Sequence, residues 1–200
     1  QLFEAYDKKK PSAIMIDRLF SHPQGLDNAK VFLSRVESLR TPLIAGAMVT
    51  PSKFENRAQL PDSLKAEIAE DGIAPTSSQS YIYGPHPDIL SAFDRVGPLV
   101  INRDRSMSRF RPITTSTNNT ASLHWALQSV GPPIDIAKSP LGTRTLRIND
   151  HAIPLFPDDS AAINYIEPQV IKKQVLSLDW ALKNIKKGKP KASAKKGDYV

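Results

Sequence analysis

Two hundred residues with 40% apolar content suffice for one domain with a continuous core. The absence of cysteine excludes a disulfide framework and a thiolate metal site, and leaves the redox compartment open. Of the net charge of +7, none lies in residues 1–171, where 18 Lys and Arg balance 18 Asp and Glu; all of it lies in 172–200, where nine lysines face only Asp179 and Asp198.

Leu2 to Tyr6 reads as the last turns of a helix, with Lys8, Lys9 and Lys10 suited to its C-terminus and Pro11 as its stop. Ala13 to Ile16 is a continuous apolar run, the mark of a strand buried on both faces, and Asp17 ends it. Ala29, Phe32, Leu33, Val36 and Leu39 recur at helical spacing up to Arg40-Thr41-Pro42. Leu43 to Val49 follows as a second buried strand. Strand, helix and strand in this order predict a right-handed crossover between parallel strands, so the fold class is α/β.

Pro61 suits the first turn of a short helix running to Glu70. Residues 71–87 read as a long polar loop of the kind that often carries binding, and 88–96 as another short helix. Leu99 to Ile101 and Phe110 to Ile113 are apolar runs joined by a polar turn at Asn102 to Ser106, a hairpin signal. Leu123, Ala126, Leu127 and Val130 form a helical stripe, with Thr120 or Ser122 as N-cap and Gly131-Pro132-Pro133 as terminator. Three β-like runs follow at 143–148, 152–156 and 161–166, the last two joined by Pro157-Asp158-Asp159-Ser160. A helix is expected from Pro168 to about Lys187, then a lysine-rich loop at 186–196, then the start of a final strand at Tyr199-Val200. The whole reads as a single α/β domain over 1–200, with a mixed and largely parallel sheet flanked by helices and a β-hairpin near 152–166. The first residue is Gln1, and the chain reads as an excised piece. No run approaches the roughly 20 apolar residues of a membrane span.

No pair of histidines has the spacing of a zinc helix, and there is neither a phosphate-cradling glycine loop nor a G-x-S-x-G elbow. The expectation is a non-catalytic domain without metal or cofactor. Asp17 lies at the carboxyl end of a parallel strand, the edge where open α/β sheets bind ligands; alternatively it caps the following loop or pairs with an arginine. Arg109 and Arg111, two apart on a strand, should share a face. They either form a cationic pocket for a carboxylate or phosphate, or pair with Asp17, Asp104 or Asp94. His124 should face solvent and Trp125 should pack. The segment 186–196, KKGKPKASAKK, lacks the arginine and aromatic residues of a nucleic-acid surface. It reads first as a solvated loop and next as a contact for anionic lipid headgroups, with no nucleic-acid partner.

The motif order resembles the second class of CHASE domain, the extracytoplasmic sensory module found ahead of adenylate or guanylate cyclases, histidine kinases and some serine/threonine kinases. The likeness rests on Ala13 to Phe20, Leu43 to Gly46, Asp104 to Ile113 (DRSMSRFRPI), Ser122 to Ala126, and Ile153-Pro154-Leu155 with Ile163-Asn164-Tyr165. The family's turn glycines appear here as Ser106 and Ser160. The resemblance implies a domain truncated at both ends, on the extracytoplasmic side of a membrane, between flanking transmembrane helices and able to pair in a homodimer. It places Arg18, Asp104 and Ser122 within the matched motifs, so they join Asp17, Arg109 and Arg111 as candidate ligand contacts. The runner-up is a soluble α/β binding protein whose basic tail docks a partner or a nucleic acid.

Overall fold

The computed structural model describes residues 2–20, 25–55, 80–99, 101–103, 108–115, 121–129, 134–138, 143–148 and 151–163. The expected helices at 61–70 and 168–187, most of the loop at 71–87, the lysine segment and the final strand lie outside them, as do Asp104 and the tip of the 102–106 turn.

A four-stranded sheet forms around β2 (Leu43–Thr50), whose first five residues are buried. β1 (Ile14–Leu19) pairs with it in parallel from Ile14 opposite Leu43, and β4 (Arg95–Pro98) in parallel from Ile44 opposite Arg95. β3 (Tyr81–Tyr83) pairs antiparallel with its end, Met48 opposite Tyr83. The crossover between β1 and β2 is α2 (Leu26–Val36), preceded by α1 (Leu2–Asp7). α2 turns Ala29 and Val36 inward, with Phe32 half-buried between them, and leaves Lys30, Ser34 and Arg35 exposed. Phe20 and Phe32 meet Phe93 with ring centroids 5.4 and 6.0 Å away, so helix, strand end and loop close over one apolar cluster. Asp7 fastens α1 to the far end of the crossover, its Oδ1 accepting from the backbone N–H groups of Arg40 and Thr41.

Three further strand groups are antiparallel. β5 (Ile101–Arg103) and β6 (Ser108–Phe110) pair where a hairpin was expected, but with Asn102 and Arg103 in the strand rather than the turn and Ile113 in the next strand, and β12 (Ala161–Ala162) joins the other side of β6. β7 (Ile113–Thr115) pairs with β8 (Ala121–Leu123). β10 (Arg144–Ile148) lies between β9 (Ile134–Lys138) and β11 (His151–Pro154). Leu127, Leu146, Ile148, Leu155 and Ala161 make a second apolar cluster beneath them. The molecule is thus a mixed α/β fold, with parallel pairing confined, among the described residues, to two of the three strands that pair with β2.

Several local expectations differ from the structure. Tyr81–Tyr83, expected within the 71–87 loop, is the strand β3, because it pairs with the end of β2. β1 does not stop at Asp17 but continues to Leu19, with its register shifted between Ile16 and Leu19. α3 (Pro87–Leu90), capped by His86 Nδ1 accepting from the Asp88 N–H, is a single turn, because pairing with β2 draws Arg95 to Pro98 into a strand.

The stripe at 123–130 does not make an α-helix. β8 takes its first residues, and only a 3-10 turn at Trp125–Leu127 follows, capped by His124 Nδ1 accepting from the Ala126 N–H. Backbone partners on β7 outweigh local helical preference here. Gln128 Nε2 also donates to Leu123 O, an acceptor that a helix would have used internally.

Finally, the 157–160 turn forms, closed by Phe156 N–H donating to Ser160 O at 2.8 Å. Its arms then part instead of pairing as a 152–166 hairpin. β11 pairs with β10, and β12 pairs with β6.

Candidate functional site

The parting of these two strands builds a charged corner around the buried Asp159. Asp159 occupies the left-handed region (φ 61), a conformation that aspartate tolerates better than most residues. It is 5% exposed, and its Oδ2 lies 2.8 Å from Arg144 Nη1 at the start of β10. Asp158 stays exposed and shapes the turn: its Oδ1 accepts from Ser160 Oγ at 2.6 Å and from the Ser160 N–H at 3.2 Å. The Ser160 hydroxyl holds the Asp158 carboxyl below the usual carboxylate range against an opposing effect of burial, and the charge of Arg111 helps.

Arg109, central in β6, places its guanidinium carbon 4.0 Å from the centroid of the Phe156 ring. Two guanidinium nitrogens at this corner, Arg109 Nε and Arg144 Nη2, are buried and meet no acceptor among the described residues. Three arginines from β6, the residue after it and β10 therefore meet a turn bearing two aspartates. Among the described residues the arrangement leaves one unit of positive charge in excess, and the two open nitrogens can donate to an oxyanion.

The sequence-based candidates divide accordingly. Arg109 and Arg111 do come to one place, but β6 ends at Phe110, so the alternation of a strand is not what brings them there. The acid whose carboxyl feels the charge of Arg111 is Asp158, which was not among the expected partners. Asp94 instead accepts from the Leu43 N–H at 2.8 Å.

Asp17 and Arg18 lie in the register shift of β1, in a different sheet. Both are exposed, and Arg18 stacks on Phe20 with its guanidinium carbon 5.6 Å from the ring centroid. Ser122 is fully buried on β8, and its Oγ meets no acceptor among the described residues. Asp104 lies outside the described residues. His124 does not face solvent: it is 5% exposed and packs edge-on against Phe110 at 5.0 Å.

Arg144 and Phe156 escaped the sequence reading. A lone arginine opening a strand carries no local signal, and its role depends on which distant turn folds over it. Among the described residues no group of three or more His, Asp or Glu side chains is placed to hold a metal ion. The chain matches no protein-family model, no curated protein and no solved structure.

Proposed function

We propose that this chain is the non-catalytic, extracytoplasmic sensory domain of a membrane-bound signalling protein, such as a nucleotide cyclase or a sensor kinase. The observation that carries the reading is the arginine-lined turn at 156–160. It sits where the chain leaves the β9–β10–β11 sheet for β6, so whatever binds there acts on the joint between two strand groups. A small oxyanion, a carboxylate or a phosphate, supplies acceptors for Arg109 Nε and Arg144 Nη2 and competes with Asp159 for Arg144. Binding of this kind biases the joint toward one of two arrangements, and flanking transmembrane helices carry the difference to an output domain. The motif order shared with CHASE domains of the second class supports the same reading. The lysines of 186–196 face anionic headgroups in this scheme, and the domain pairs with a second copy.

Two measurements test it. The coding sequence on both sides of the segment is expected to hold apolar spans of about 20 residues; polar flanks on both sides overturn the membrane reading. Purified protein is expected to melt at a higher temperature with succinate or inorganic phosphate, less so with Arg109→Gln. A folded protein whose melting is indifferent to both anions overturns the oxyanion site.

A further inference from the structure

Where the parallel strands β2 and β4 begin, a groove of about 510 Å³ opens between the end of α2 and the α3–β4 connection. We propose that this groove is a binding site for a small organic cation with an apolar body, an aryl- or alkylamine. Its volume falls within the roughly 300–1,000 Å³ usual for ligand sites. Its floor is aliphatic, made by Leu33, Val36, Leu39 and Leu43. Among the described residues its ionisable lining groups are two carboxylates, Glu37 and Asp94, with no lysine, arginine or histidine.

Neither carboxylate is neutralised by a cation among the described residues. Glu37 is the C-cap of α2, at the negative end of the helix dipole, where an anion is disfavoured and a cation is favoured. It is exposed and has no ion-pair partner among the described residues. Asp94 uses Oδ2 to accept from the Leu43 N–H, which fixes the carboxylate at the mouth, and it has no ion-pair partner among the described residues. The helix end and both acids therefore make one field of a single sign over an apolar floor. An ammonium group at the mouth relieves that field, while its hydrocarbon body covers leucine and valine side chains. No lining residue belongs to the 156–160 turn, so this site is separate from the oxyanion site.

The test is an amide-resolved NMR titration of the 200-residue chain with 2-phenylethylammonium at millimolar concentration, with 3-phenylpropionate as the probe of equal shape and opposite charge. The amine is expected to shift the amides of Glu37, Leu43, Ser91 and Asp94, and the carboxylate to leave them in place. Glu37→Gln should weaken the amine about threefold, as suits an exposed charge pair. Ser91→Trp, a substitution at an exposed lining position, should fill the groove and abolish binding without unfolding the protein. Equal response to both probes, amine binding unchanged in folded Ser91→Trp protein, or no response to the amine by the folded wild type overturns the proposal.

Discussion

Arg144 and Asp159 form an ion pair at 2.8 Å with side chains 16% and 6% exposed, and that pair ties the first residue of β10 to the turn after β11. Removing one member leaves the other charged in a poorly solvated corner. Asp159→Asn keeps a residue that accepts the left-handed conformation, so it isolates the charge. The expected loss is about 3 kcal/mol in urea unfolding. Arg144→Met combined with Asp159→Asn should recover part of that loss, because no lone charge remains.

Asp158 and Asp7 define the acid limb of stability. For Asp7, burial pushes the carboxyl up, but the Thr41 hydroxyl and the backbone N–H groups of Thr41 and Arg40 outweigh it, so the net shift is down. Asp158 is also shifted down, chiefly by the Ser160 hydroxyl. Each carboxyl is a stronger acid in the folded chain than at its ordinary 3.8, so each adds stability above that pH. The contribution fades as pH falls through 3.8 toward the lower folded values. Denaturant midpoints measured from pH 6 to pH 2.5 should therefore fall less steeply in Ser160→Ala and Asp7→Asn than in the wild type.

Gly97 is where β4 touches the 3-10 turn. A Cβ there would lie 2.6 Å from Leu123 O and 2.7 Å from the Trp125 backbone. Backbone on both sides cannot yield as a side-chain tip can, so Gly97→Ala is expected to cost about 2 kcal/mol. Gly46→Ala meets the Leu99 side chain instead, which can turn aside, and should cost less in the same thermal unfolding assay.

Gln128 links the two apolar clusters. Its Nε2 donates to Val96 O at 3.0 Å and to Leu123 O at 3.1 Å, and its backbone carbonyl accepts from Arg95 Nη1 at 2.6 Å. Gln128→Leu retains the volume but removes both side-chain donations, and is expected to lose about 1–3 kcal/mol. Amide exchange should speed up in β4 and β8 together.

The crossover was legible in the residues because its information is local. The spacing of Ala29, Phe32, Leu33 and Val36 and the unbroken apolar run from Leu43 each point to one element, and a strand, a helix and a strand in series have one favoured hand. The turn at Pro157 to Ser160 was legible for the same reason, since its residue types fix its backbone. Arg109 and Arg111 could be named as a pair, but their partners could not. Asp158, Phe156 and Arg144 reach them only because β12 leaves β11 for β6. The stripe from Leu123 to Val130 satisfied helical spacing and still gave way to a strand and a 3-10 turn, because β7 and the bare backbone of Gly97 offered contacts that spacing cannot encode. Local periodicity thus determined β1, α2 and β2, whereas β3 and β4 became strands only by pairing with β2. Pairing between distant segments, which trades one set of backbone hydrogen bonds for another of nearly equal energy, was decided by the packing of the whole chain, and with it both proposed binding sites.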